Sequence, residues 1–196
     1  MLQIVPAREE DASGLLGIYA NYIDTPVTFE CRLPSLEEFC GRIRQIQQDY
    51  PYLVCRWEGR LAGYAYAHRY QEREAYRWNA ELSVYLAPFC TGRGVGTVLY
   101  TALLEILKLQ QVQNVYGIVT APNPASEGLH RAMGFSLAGC YHGVGYKCGK
   151  WQDVLLFEKQ LGAHENPPRE FVPIGQLDHE RLRSVYDSVP VLRPSL

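Results

Sequence analysis

Long apolar runs are missing from this chain. No segment of its 196 residues approaches the ~20 apolar residues a helical membrane span requires, so no membrane partner is expected. The first residues, MLQIVPAREED, lack the basic-then-apolar pattern of a secretory leader. The six cysteines (Cys31, Cys40, Cys55, Cys90, Cys140 and Cys148) contain no C-x-x-C pair, and no Cys/His cluster has zinc spacing. No metal is therefore expected, and the thiols read as free in a reducing cytoplasm. An excess of charge of one sign is missing too. A net charge of −2 gives no electrostatic reason to expect nucleic acid or an anionic membrane.

What is present suits a globular fold with a full core: 47% apolar and 20% charged residues, in a length typical of one domain with a tail. LQIVP (2–6) reads as a strand. EEDASGLLGIYANYI carries Ala12, Leu15, Tyr19, Tyr22 and Ile23 on one helical stripe. PSLEEF opens a second helix, with Ser35 and Glu38 spaced as a capping box. YLVCRW (52–57) and LAGYAYAHRY (61–70) flank EGR as a hairpin, and NAELSVYLA (79–87) is a further strand. A glycine loop and a helix to about Gln110 follow, then the strand NVYGIVT (114–120). NPASEGLHRAMGF is a short helix with Asn123 as N-cap, Pro124 in the first turn and Gly134 as its stop. FSLAGCY (135–141) and DVLLFEK (153–159) complete a mixed α/β sheet of about seven strands. Residues 162–196 carry five of the twelve prolines and read as an extension, either packed along the surface or partly disordered.

The glycine loop TGRGVG (91–96) poses the functional question. A P-loop needs a Lys that is absent. A dinucleotide fingerprint needs Gly at the sixth position, where Thr97 stands, and an acid ~20 residues on, where Tyr116 stands. A plain β-to-α turn needs one glycine rather than three. The remaining reading is a pyrophosphate cradle: bare backbone at Gly92, Gly94 and Gly96, helix-terminal N–H groups, a Thr97 hydroxyl, and Arg93 as a nearby cation.

With its flanking strand, and with Asn123 heading a short helix that ends in MGF, this loop resembles the [QR]-x-x-G-x-[GA] motif of the GNAT acyl-CoA N-acyltransferases. IYANYIDTPVTFE, YPYLVCRWEGRLAGYAYA, AELSVYL, NPASEGLHRAMGF and GVGYKCGKWQDVLLFEKQL are similar to the phosphinothricin-type members, over nearly all of residues 2–161. Thr91 departs from the family's Gln or Arg, and Leu82 stands where that subfamily commonly has His.

The resemblance implies a mostly antiparallel sheet whose fourth and fifth strands splay apart, with flanking helices, a GNAT domain over 1–161 and the extension over 162–196. It implies acetyl-CoA as co-substrate, held by Val84, Tyr85 and Leu86 through backbone, by Gly92, Arg93, Gly94, Val95, Gly96 and Thr97, and by Asn123 and Ser126. A strand N–H there polarises the thioester oxygen, an interaction worth ~3 kcal/mol in a transition state. A carboxylate inside an apolar strand is costly unless paired or employed. Glu81 is thus either a wet-edge or Arg73/Arg77-paired acid, or, as the resemblance implies, the general base. His130 stands where phosphinothricin-type members have the His that protonates the leaving thiolate; the alternative is a surface or capping His. Phe29, Arg73, Tyr76 and Arg77 lie in segments similar to the acceptor pocket, with the arginines suited to a two-oxygen anion.

The expectation is a cytoplasmic N-acetyltransferase acting on a small amino acid or analogue such as phosphinothricin, methionine sulfone or methionine sulfoximine. Transfer is direct within a ternary complex, and the assembly is a homodimer. Cys90 is the one candidate for an acyl-enzyme. An acetyltransferase for protein N-termini or lysines, and a non-catalytic acyl-CoA sensor, are the rival readings.

Overall fold

Strand and helix order follows the alternation of apolar periods along the chain. The computed structural model describes residues 1–188; the end of the 162–196 extension, residues 189–196, lies outside the described residues. The strands are β1 (Leu2–Pro6), β2 (Tyr52–Trp57), β3 (Arg60–Arg69), β4 (Asn79–Leu86), β5 (Asn114–Ala121), β6 (Ser136–Lys147) and β7 (Lys150–Gln160). The helices are α1 (Ala12–Ile23), α2 (Leu36–Ile46), α3 (Val95–Leu109), α4 (Pro124–Ala132) and α5 (His179–Asp187). One seven-stranded sheet runs in the order β1-β2-β3-β4-β5-β7-β6. Every pairing is antiparallel except the parallel β4–β5 pair.

The two faces of the sheet carry different work. On β4, Ala80 and Leu82 are buried, and Leu86 reaches Gly96 of α3. Glu81, Ser83 and Tyr85 point the other way, where Tyr85 meets Tyr19 and Tyr22 of α1. The α3 face is the driest part of the core, with Val95, Leu99, Leu103, Ile106 and Leu107 fully buried.

The last two strands run longer than the sequence pattern predicts. β6 and β7 continue to a tight turn at Cys148–Gly149, both with positive φ. Residues 142–150 are rich in Gly and Lys, which have low strand propensity, so pairing with the partner strand decides their state. In the extension, Val172 N–H donates to Gln110 O (3.0 Å) and Ile174 N–H to Asp49 O (2.9 Å). Phe171 packs on Tyr50, and Leu177 and Leu182 are buried. The α5 helix, capped by Asp178, lies against β1 and α3, in a segment where the sequence pattern predicts no helix. Among the described helices none is long and apolar enough to cross a membrane.

Candidate active site

The site begins where two strands part. β4 and β5 are paired only at Asn79–Asn114, Ala80–Val115 and Glu81–Tyr116. Beyond Glu81 the strands diverge, and a small cavity of about 60 Å³ lies between them, lined by Ser83, Val84, Thr120, Asn123, Ser126 and His130 among others. Antiparallel pairing with β3 sends alternate backbone groups to opposite edges of β4. On the open edge, the Tyr22 hydroxyl accepts from Leu86 N–H (3.1 Å) and donates to Leu86 O (2.7 Å). Val84, two residues back, presents its backbone to the same opening, while Tyr85 turns its own toward β3. Of the three residues expected to present backbone, Val84 is the one left open. Tyr22, which no sequence motif marks, occupies Leu86.

The glycine loop closes the wide end of this gap. Gly92 (φ 75°) and Gly94 (φ 77°) adopt a left-handed backbone that a side chain disfavours. Gly94 is the N-cap of α3, with no side-chain cap. Among the described residues, the N–H groups of Gly94, Val95, Gly96 and Thr97 have no protein acceptor; the first helical bond is Val98 N to Gly94 O. Gly96 allows α3 to approach α4, since a Cβ there would lie 3.3 Å from Leu129 Cδ2. Arg93 stacks over Trp57, with 5.5 Å from guanidinium carbon to ring centroid. Four unpaired donors at a helix start, on bare backbone, fit a diphosphate. Cys90 does not fit an acyl carrier. Its thiol is fully buried and bonded to Ala62 O (2.8 Å), and burial raises its pKa, the opposite of what an activated thiolate needs.

Asn123 caps α4, its Oδ1 accepting from Ser126 N–H at 3.2 Å. His130, one turn on, is buried under β5 and ringed by Tyr100, Phe135 and Phe157. Its Nδ1–H donates to Ser126 O (2.8 Å), so in the neutral ring Nε2 is the acceptor and faces the Tyr100 hydroxyl at 3.4 Å. Burial lowers the pKa of His130, with the Ser126 carbonyl opposing in part. The surface location weighed for this His is not where it lies.

Glu81 lies on the opposite face of the sheet. Its partner is neither Arg73 nor Arg77 but His68, directly across on β3, with Nε2 3.7 Å from Oε1. Burial raises the Glu81 pKa and the His68 charge opposes it. On one side of this pair, Tyr70 stacks on Tyr116 (4.1 Å) and meets Tyr76 edge-on. On the other opens a cavity of about 430 Å³, walled by Tyr19, Phe39, Tyr52, Tyr64 and Tyr66, with His68, Arg42 and Arg69 at its rim.

The 25–30 loop covers this face. Lys147 of β6 is buried and donates to the carbonyls of Thr28 (2.6 Å) and Glu30 (2.7 Å). The Tyr19 and Thr28 hydroxyls bond at 2.7 Å, and the Phe29 ring fills the space that Gly145 leaves open. Phe29 is thus part of the covering loop, and none of Phe29, Arg73, Tyr76 and Arg77 lines the cavity. Arg77 pairs with Glu170 of the extension at 3.1 Å. No local sequence signal marks His68, Lys147 or Gly145; only strand pairing and the turn of the last hairpin reveal their work.

Comparisons with known proteins agree with this geometry. The family model described as an acetyltransferase (GNAT) domain matches residues 4–156. The phosphinothricin N-acetyltransferase of Streptomyces viridochromogenes is 33% identical over 177 residues, covering 90% of this chain and 96% of its own length. That of Alcaligenes faecalis is 38% identical, over 80% of this chain and 81% of its own. The crystal structure of a GNAT superfamily phosphinothricin acetyltransferase from Sinorhizobium meliloti, in complex with acetyl-CoA, superposes with a TM-score of 0.81 at 30% identity, over 86% of this chain and 92% of that one. A family model that matches most of the chain, with relatives this similar over nearly its whole length, shows that this chain belongs to the GNAT N-acetyltransferases.

Proposed function

We propose that this acetyltransferase moves the acetyl group of acetyl-CoA to the amine of a small amino acid or analogue of the phosphinothricin or methionine sulfone and sulfoximine type. Transfer is direct, with both substrates bound. One observation carries the reading: beside the β4–β5 gap stand a buried carboxylate of raised pKa and a helix start whose N–H donors have no protein acceptor. Relatives named for phosphinothricin support the acceptor class.

Acetyl-CoA supplies an activated acetyl thioester. Gly92 to Thr97 hold its diphosphate, with Arg93 as a flanking cation, and Asn123 and Ser126 flank the pantetheine. Val84 N–H is the donor aimed into the gap, where the carbonyl oxygen gains charge. Holding donor and acceptor together lowers the entropic part of the barrier. Glu81 takes a proton from the acceptor's ammonium, directly or through water, which frees the amine lone pair to attack; its raised pKa brings its basicity nearer the task. His68 orients Glu81. His130 is neutral at rest, so it serves the departing thiolate as a relay: its Nε2 takes the proton that the attacking nitrogen sheds in the tetrahedral intermediate and returns it to the thiolate sulfur. Burial disfavours the transient imidazolium, which favours that return. The acceptor occupies the cavity beside the Glu81–His68 pair, under the loop that carries Phe29, and Arg42 and Arg69 at the cavity rim serve its anionic end in place of Arg73 and Arg77. We place the enzyme in the cytoplasm, as a homodimer.

The test is Glu81→Gln. Turnover falls ~10²-fold or more with little change in acetyl-CoA affinity. In the parent enzyme kcat/KM rises with pH as Glu81 ionises, through a limb above the ordinary carboxylate value of about 4.3, and the variant lacks that limb. An unaltered rate dismisses the role. An acceptor screen reading thiol release, over amino acids, their sulfone and phosphinate analogues and peptides, identifies the substrate.

A further inference from the structure

The β6–β7 hairpin holds a side-chain cluster that acetyl transfer does not use. Cys140, His142 and Asp153 bring their sulfur, Nδ1 and carboxylate oxygen within 4.8 Å of one another. The sequence contains no zinc spacing here, because the chain makes the cluster by pairing. Cys140 and His142 are two apart on β6 and point to one side. The register then breaks: Tyr141 pairs with Val154 and Gly145 with Gln152, so residues 142–144 bulge opposite Asp153 alone. Bulges re-aim side chains, and this one, with Gly143 at φ 55°, turns His142 onto Asp153.

Two of the three ligand separations match a coordination sphere, and all three ligand atoms lie within 4.8 Å of one another. Zinc–ligand lengths of about 2.3 Å to sulfur and about 2.0 Å to nitrogen and oxygen, at tetrahedral angles, give edges of about 3.5 Å for S···N and about 3.3 Å for N···O. The corresponding separations are 3.7 Å for Cys140 Sγ to His142 Nδ1 and 3.3 Å for His142 Nδ1 to Asp153 Oδ2. The other Asp153 oxygen is held by Gly143 N–H at 2.8 Å, which fixes the carboxylate with Oδ2 turned to the cluster. One thiolate, one imidazole and one carboxylate suit a borderline divalent ion and would be a poor set for Mg²⁺ or Ca²⁺.

We propose that Cys140, His142 and Asp153 form a three-ligand tetrahedral site for a divalent ion of the zinc class, with the fourth position open to solvent. The site lies across the ladder from Ala121, which pairs with Asp153 and leads into the Asn123 cap. It is separate from Glu81 and from the glycine loop, and it stands whether or not the acceptor reading holds.

Co²⁺ titration of the untagged, phosphine-reduced full chain tests it. One equivalent per chain binds with a near-ultraviolet sulfur-to-cobalt charge-transfer band and visible bands of tetrahedral intensity, and Zn²⁺ displaces it. Cys140→Ser removes the charge-transfer band. His142→Ala and Asp153→Asn each weaken Zn²⁺ binding ~10-fold or more. Cys31→Ser and Cys148→Ser, at the two exposed thiols outside the cluster, leave both readouts unchanged. Near-ultraviolet circular dichroism verifies that each variant is folded. The proposal is overturned by absence of the band, by its survival in Cys140→Ser, or by unchanged Zn²⁺ affinity in either His142→Ala or Asp153→Asn.

Discussion

Gly117→Ala isolates the packing that holds His130. A Cβ at Gly117 would lie 2.1 Å from His130 Nε2, 2.6 Å from Cδ2 and 3.1 Å from Cε1. The ring must withdraw by about 1.3 Å to reach an ordinary contact of 3.4 Å. It has nowhere to go. Phe157 stacks behind it at 5.1 Å, Phe135 and Tyr100 close its edges, and all three are buried. Its Nδ1–H is also tied to Ser126 O. Overpacking of this kind costs about 1–3 kcal/mol, and losing the Ser126 bond adds about 1 kcal/mol. The expected loss is about 2–4 kcal/mol, which lowers Tm by roughly 4–16 °C in a chain of this size. Calorimetry of the single variants and of Gly117→Ala/His130→Ala gives the decisive comparison. Removing the ring removes the clash, so the double variant is more stable than the sum of the single losses predicts, by about 1–3 kcal/mol. A Tm within a degree of the parent for Gly117→Ala, or strict additivity in the double variant, refutes the ring's confinement.

Two further outcomes follow from the same coordinates. Lys147→Met removes the ammonium that holds the Thr28 and Glu30 carbonyls, at a cost of about 2–4 kcal/mol. Steady-state kinetics of this variant should show a raised acceptor KM with an unchanged acetyl-CoA Kd; equal loss of both affinities contradicts a role confined to the covering loop. The second concerns pH. Because the fold lowers the His130 pKa, the unfolded chain binds that proton first, near pH ~6.5. The stabilisation is complete above that value and is lost as pH falls through the folded-state pKa. Thermal scans between about pH 7.5 and about pH 5 should show a decline in Tm that is shallower in His130→Asn; parallel curves exclude His130 as its source.

Short-range signals made most of the fold legible. The Ser35–Glu38 capping box forms as spaced, with Glu38 N–H to Ser35 Oγ at 3.1 Å and Ser35 N–H to Glu38 Oε2 at 2.7 Å. Asn123, Pro124 and Gly134 bound α4 as their residue types dictate. The full length of the β6–β7 hairpin and the α5 helix are not legible in the sequence, because Gly, Lys and charged residues carry little apolar period of their own.

By itself the sequence determined the alternation of strands and helices, the bare loop at the start of α3, and the strand carboxylate, since each depends on the identity and spacing of neighbouring residues. Tertiary structure alone decided which partners meet. Strand register set His68 beside Glu81 across 13 residues of chain, and the last hairpin brought Lys147 onto Thr28 from 119 residues away. It also decided that β4 and β5 part after Glu81, that His130 is buried and neutral, and that Cys140, His142 and Asp153 converge. Pairing, burial and convergence belong to the packed chain as a whole: desolvation and distance exist only once distant segments have excluded water between them.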